Sequence, residues 1–192
     1  MRRIELCDGG WLTLEDGWLG AAPADAALGA LLETVRWRQE TITLFGRQIP
    51  QPRLSAWYGD ATAVYTYSGL TNTPVPWTPL LAELRGAVEE AAGARFNAVL
   101  LNHYRDGKDS MGMHADDEPE LGPDPLIASL SLGASRRFVL RHRRRAAARL
   151  DLELGHGSLL VMGGSTQRHY RHGVPKQVGR GARVNLTFRR IG

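Results

Sequence analysis

Beyond residue 40 the chain is dominated by short apolar runs cut apart by Gly and Pro. They read "TITLFGRQIP", "AVYTYSG", "NAVLLNHY", "LIASLSLG", "RRFVLRH", "GSLLVMGG" and "RVNLTFRR". Runs of this length and punctuation are β-strands. A chain of many short strands must stack or close its sheets to hide their apolar faces. Two helices accompany them. "DAALGALLETVRW" spaces Leu28, Leu31, Leu32 and Val35 at helical intervals, with Asp25 as its expected N-cap. "TPLLAELRGAVEEAAG" has Thr78 to cap it, Pro79 for its first turn and Gly93 for its end. The expectation is mainly β with flanking helices, a β-sandwich or jelly roll. Its mouth between the sheets is a natural pocket for a small molecule. No repeat or linker divides 192 residues, so one domain is expected. Residues 1–95 form an N-terminal extension with two helices and hairpins, and residues 96–192 form the core.

Charge and cysteine usage narrow the partners. Cys7 is the one cysteine, which excludes an internal disulfide and fits a reducing, cytoplasmic setting. No apolar run approaches the ~20 residues of a membrane helix. The opening "MRRIELCDGG" has no apolar core of a secretory signal, and a monomer is expected. The net charge is +4, and all but two of the 24 basic residues are arginine. Arginine forks suit phosphate oxygens, and "RHRRRAAARL" at 141–150 concentrates them, which favours a nucleic-acid partner.

The chemistry concentrates in "MGMHADDEPEL". In a strand, His114 and Asp116 share a face and Asp117 turns away, to anchor a loop or an arginine. Two histidines and one carboxylate make the facial triad that leaves iron(II) with open positions. Of His169 and His172, three apart, only one can face the pocket. His172, just before "GVPK", suits a ligand at the mouth. In "RVNLTFR", Arg183, Asn185 and Arg189 share strand parity. Two arginines and an amide facing one pocket are costly with nothing to bind, and a dicarboxylate such as 2-oxoglutarate would satisfy them. Asn102 and Tyr104 in "LLNHY" share a face as further polar partners.

The ordered segments "NHYRDGKDSMGMHADDEPEL", "PLIASLSLGASRRFVLRH", "HGSLLVMGGSTQRHYRHGVPK" and "RVNLTFRR" closely resemble the AlkB family of iron(II)- and 2-oxoglutarate-dependent nucleic-acid dealkylases. The upstream "PRLSAWYGDATAVYTYSGL" resembles its duplex-preferring branch. The resemblance covers roughly three-quarters of the chain. It implies a double-stranded β-helix with a nucleotide-recognition hairpin region. It implies Fe(II) on His114, Asp116 and His172, and 2-oxoglutarate against Asn102, Tyr104, Arg183, Asn185 and Arg189. It implies a base pocket lined by Tyr65 and Tyr67, the latter where phenylalanine is usual. Phe45 matches an apolar wedge that fills the gap left by a flipped base, with Arg47 and Arg53 flanking it to hold phosphates. Glu118 would meet the edge of a cationic, methylated base, and Asp117 would support the site.

The expected function is therefore a DNA repair dioxygenase. It would oxidatively demethylate 1-methyladenine- and 3-methylcytosine-type bases in double- and single-stranded DNA, using O2 and 2-oxoglutarate and releasing formaldehyde, succinate and carbon dioxide. The alternatives are the same chemistry on RNA and a non-catalytic, cupin-like metal-binding module.

Overall fold

The protein is described from a computed structural model. It defines the backbone of residues 1–44, 46–63, 65–67 and 70–192, and the side chains of residues 1–42, 46–63 and 73–192. In chain order the first elements are β1 (Arg2–Glu5), β2 (Gly10–Glu15), α1 (Ala21–Thr34), β3 (Thr41–Leu44), β4 (Arg47–Pro50), β5 (Leu54–Gly59), β6 (Tyr65–Tyr67) and β7 (Leu70–Asn72). There follow α2 (Pro79–Ala92), β8 (Ala98–Tyr104), β9 (Met111–His114), β10 (Ile127–Gly133) and β11 (Arg136–His142). The last are β12 (Arg149–Leu154), β13 (Ser158–Gly164), α3 (Thr166–His169), β14 (Tyr170–Val174) and β15 (Arg183–Arg189).

A major sheet of seven strands runs β1-β2-β13-β10-β15-β8-β5, and a minor sheet of four runs β12-β11-β14-β9. All their ladders are antiparallel. This is the jelly roll expected, with α1 and α2 outside it. Two separate hairpins, β3–β4 and β6–β7, stand apart from both sheets.

Strand β15 shows why the sheets stack. Every one of its residues is buried. Val184, Leu186 and Phe188 pack with Leu31 of α1 and with Leu81, Leu84 and Val88 of α2 in one apolar cluster. Each such burial contributes ~1.5–3 kcal/mol. The alternate residues Arg183, Asn185 and Arg189 line a cavity shared with residues of the minor sheet. A second cluster of Leu12, Leu14, Phe138, Leu140, Leu160 and Met162 joins strands of the two sheets. A strand buried on both sides, with arginines on one of them, leaves those arginines inside the molecule.

Helix α2 keeps its expected limits: Thr78 accepts a hydrogen bond from the Leu81 amide at 3.2 Å, and Gly93 closes it at φ 65°. Helix α1 begins earlier than expected, at Ala21, with Gly20 at its N-cap. Asp25 therefore lies inside the helix, its carboxylate 3.2 Å from His156 Nε2. Strands β1, β2, β5, β7 and β12 go beyond the sequence reading. Strand β2 alternates buried Leu12 and Leu14 with half-buried neighbours and pairs with β13. Strand β12, "RLDLEL", pairs with β11. The segment 1–95 also supplies β5 to the major sheet, against β8.

Candidate active site

Strands β9 and β14 pair so that His172 lies directly opposite His114, with the register shifting just beyond His172. Their rings are 4.3 Å apart. Asp116 lies two residues past the end of β9, so strand parity does not place it. Its backbone N–H donates to Gln167 Oε1 at 3.0 Å, and Arg189 Nη2 donates to its Oδ1 at 2.7 Å. The carboxylate then lies between the histidines. Oδ1 is 4.0 Å from His114 Nε2, and Oδ2 is 3.7 Å from His172 Nε2. These separations are too long for hydrogen bonds and suit three atoms that share one ion. Oδ2 is buried without a hydrogen-bond partner among the described residues.

The protonation states agree with a metal. His114 Nδ1 lies 3.0 Å from the Gly112 carbonyl. Donation from Nδ1 leaves the Nε2 lone pair facing Asp116, as in metal-bound histidines. Burial, and then the nearby His114, push His172 down to about 3, so its ring is neutral. Burial alone would raise the Asp116 carboxyl. Arg189, His172 and His114 outweigh it and bring it to about 2. Two imidazoles and one carboxylate form the donor set of an iron(II) triad, and these residues fit the ion.

Beside the triad lie the polar groups of β8, β10 and β15. Register places Asn102 opposite Asn185 and Tyr104 opposite Arg183. Ser129 and Ser131 of β10 stand opposite Thr187 and Asn185. Arg183 is 1% exposed, and Nη2 donates to Ser131 Oγ at 2.9 Å. Its guanidinium lies 5.1 Å from the Tyr104 ring and interacts with it, yet among the described residues Nε and Nη1 have no acceptor. The equally buried Arg136 lies 5.4 Å from the same ring. It donates to the Asp106, Asp109 and Pro175 carbonyls. Burial lowers the pKa of both arginines. Buried cation donors without acceptors fit a carboxylate of 2-oxoglutarate.

One narrow cavity is lined by His114, Asp116 and His172 together with Asn102, Tyr104, Arg183, Asn185 and Arg189. The structure thus brings together all eight residues expected for metal and cosubstrate. A second cleft, of about 560 Å3, opens beside it and is lined in part by Arg36, Arg38, Arg53, Trp57 and Val75. Arg53 is 6% exposed, with Nε on Asn102 Oδ1, so it lies within this cleft. Asp117 pairs with Arg143 at 2.5 Å. Glu118 is half-buried and lines neither cavity, but its Oε2 is buried without a partner. Phe45 and the side chains of Tyr65 and Tyr67 lie outside the described residues.

Sequence reasoning missed Ser129, Ser131, Arg136 and Gln167. The two serines carry a signal, because they recur at one parity inside the apolar "LIASLSLG". Arg136 and Gln167 carry none, since their partners are loop carbonyls and a backbone amide.

Another cluster, Asp8, His142 and His169, also brings ligand atoms together. His142 Nδ1 accepts from the Arg144 and Arg145 amides, which leaves the ring proton on Nε2, 2.8 Å from Asp8 Oδ2. Arg145 already pairs with Asp8 at 2.9 Å. The cluster is a satisfied clasp, not a metal site.

The chain matches the 2OG-Fe(II) oxygenase superfamily over residues 12–189. It is 44% identical over 188 residues to the rat (Rattus norvegicus) alpha-ketoglutarate-dependent dioxygenase alkB homolog 3, covering 93% of this chain and 63% of that protein. It is 45% identical over 184 residues to the mouse (Mus musculus) DNA oxidative demethylase ALKBH2, covering 90% of this chain and 77% of that one. Among solved structures, OsALKBH1 superposes with a TM-score of 0.62 at 17% identity, over 93% of this chain and 97% of that one, a likeness of fold.

Proposed function

The chain belongs to the AlkB family of the 2OG-Fe(II) oxygenase superfamily, whose cofactors are iron(II) and 2-oxoglutarate, and from that premise we propose that it is a DNA repair dioxygenase that demethylates 1-methyladenine- and 3-methylcytosine-type bases. The observation that carries this reading is the meeting of two spaces at Asn102: the triad-bearing cavity and a cleft of about 560 Å3, ample for a flipped base. With 2-oxoglutarate and dioxygen, bound iron(II) supplies the oxidation that hydroxylates an N-methyl carbon, which leaves as formaldehyde, with succinate and carbon dioxide as co-products.

The chain's own work is placement. His114, Asp116 and His172 hold the ion, with Gln167 and Arg189 fixing the carboxylate. Arg183, set by Ser131 and Tyr104, takes one end of the dicarboxylate. Asn185 is oriented by Ser129 and by the Leu130 carbonyl, to which its amide donates, and lines the wall between. Glu118 has an unpartnered, buried oxygen that a cationic base would satisfy. Asp117, through Arg143, ties the segment after Asp116 to the basic loop after β11.

A nucleic-acid partner is supported on the outward face of the minor sheet. Arg171 and Arg141 stand exposed directly opposite each other, one position from the His172–Leu140 pair. Like charges so placed are unfavourable unless an anion lies between them, and a phosphate is one. We extend the reading to both single and double strands, with Phe45, which falls between β3 and β4 in the sequence, as wedge and Tyr65 and Tyr67 lining the base. We take the protein to act as a cytoplasmic monomer. Among the described residues no helix is long and apolar enough to cross a membrane.

The test is formaldehyde release with iron(II), 2-oxoglutarate and ascorbate on matched methylated and unmethylated DNA and RNA, single- and double-stranded. Release from methylated DNA above RNA and above unmethylated controls is the expected result. Release from none of the methylated strands would overturn the reading.

A further inference from the structure

Arg53 has an unusual position for a residue just ahead of a strand. Its side chain is buried, and it pairs with an amide instead of a carboxylate. Nε donates to Asn102 Oδ1 at 2.8 Å, and its Nη groups make no hydrogen bond among the described residues. A guanidinium held this deep by one neutral bond is poorly compensated. Arg53 lines the large cleft and not the triad cavity.

Asn102 stands on the boundary. It is 1% exposed and, among the described residues, is the one that lines both spaces. It sits between Ser55 of β5 on one side and Asn185 of β15 on the other. A side-chain amide has one accepting and one donating end. With Oδ1 engaged by Arg53, the donating Nδ2 is left, and it makes no hydrogen bond among the described residues. It is therefore the end available to an anionic cosubstrate. Were the amide to flip, Oδ1 would face that anion and repel it.

We infer that Arg53 is a positioning residue that links the two spaces. Its Nη groups take an acceptor oxygen of the nucleotide in the cleft, either a phosphate or a base carbonyl. Its Nε at the same time holds the Asn102 amide with Nδ2 towards 2-oxoglutarate. Occupancy of the cleft then tightens the cosubstrate, and by linkage the cosubstrate tightens the nucleotide. This rests on the dealkylase reading above.

The linkage is measured by anaerobic calorimetry on the Mn(II)-loaded protein. The titrant is 2-oxoglutarate, with and without a single-stranded DNA oligonucleotide carrying one 3-methylcytosine. The wild type should bind 2-oxoglutarate at least ~5-fold tighter with the oligonucleotide present, the lower end of typical couplings. Arg53→Gln should weaken 2-oxoglutarate and abolish the coupling. Arg53→Lys, which keeps one donor, should restore part of both. In an Asn102→Ala background, Arg53→Gln should have no further effect on 2-oxoglutarate. An oligonucleotide abasic at the lesion separates the sources: retained coupling assigns the acceptor to a phosphate, and lost coupling assigns it to the base. A folded Arg53→Gln with wild-type affinity and coupling overturns the inference, as does an equal effect of Arg53→Gln with and without Asn102. Should Arg53→Gln fail to fold, Asn102→Ala alone decides, because coupling that survives it refutes the link. Failure of the dealkylase reading looks different: no formaldehyde from any methylated strand, whatever the calorimetry gives.

Discussion

Replacing Arg183 by methionine should move stability and cosubstrate affinity in opposite directions. Methionine nearly matches the arginine stem in length and carries no donor. Without cosubstrate, the wild-type guanidinium is buried with Nε and Nη1 unpartnered and with Arg136 near the same tyrosine ring. Unsatisfied buried donors cost ~1–3 kcal/mol each. Against that relief stand the lost Ser131 hydrogen bond, about 1 kcal/mol, and the lost contact with the Tyr104 ring, ~0.5–2 kcal/mol. At the middle of these ranges the balance favours the variant by ~2 kcal/mol, which for a domain of this size raises Tm by ~4–8 °C. With cosubstrate the sign reverses. Removing one partner of a buried charge pair costs ~2–5 kcal/mol, so a loss near 3 kcal/mol weakens 2-oxoglutarate on the order of 100-fold. Thermal unfolding of the Mn(II) form with and without 2-oxoglutarate, and calorimetry for affinity, read both effects. A variant that melts several degrees lower without 2-oxoglutarate, yet keeps its affinity, refutes the idea that Arg183 waits uncompensated for an anion.

Further outcomes follow from other residues. His114→Ala should lower Mn(II) affinity by more than the ~10–100-fold typical of losing an outer partner, in calorimetry, and abolish formaldehyde release while circular dichroism stays native. Glu118→Gln should narrow the preference for methylated over unmethylated base in competition binding, with metal affinity unchanged; equal preference in both proteins removes Glu118 from the base site. Phe45→Ala should slow repair of duplex DNA relative to single strands in matched assays, and an unchanged ratio removes the wedge. The Asp109 carboxyl is held below its usual value chiefly by hydrogen bonds from Arg105. Its stabilising contribution is therefore present above roughly pH 4 and disappears as pH falls through the lowered folded value. Urea unfolding should show a shallower acid-side loss of stability in Asp109→Asn than in the wild type.

The legibility of the chain tracks how local the determining physics is. Parity within one strand was enough to put Arg183, Asn185 and Arg189 together, and Asn102 with Tyr104, because side-chain alternation is a backbone property. The caps of α2 were equally local. Parity gave Asp116 the right neighbour by a route the molecule does not use. Strand β9 ends at His114, and the carboxylate is aimed by Gln167 and Arg189, at a distance no sequence period records. Strands β2 and β12 escaped because their alternation of Leu with charged or polar residues is short and weakly β-branched. Arg53 looked like a surface cation beside a hairpin. Its burial depends on Asn102, 49 positions away.

The place of β15 bears on how the protein is made. It follows β8 and β10 in the sequence, yet it is the bridge between them in the major sheet. During synthesis two halves of that sheet can form before the ribosome has reached residue 183, each with an open edge facing the other. Until β15 slots in, no arginine closes the cosubstrate end, and Asp116 lacks its Arg189 partner. Until residue 189 has been made, the nascent chain is thus inert and its open edges are adhesive. A stop codon placed only a few residues before position 183 should leave an aggregating product, not a weak enzyme.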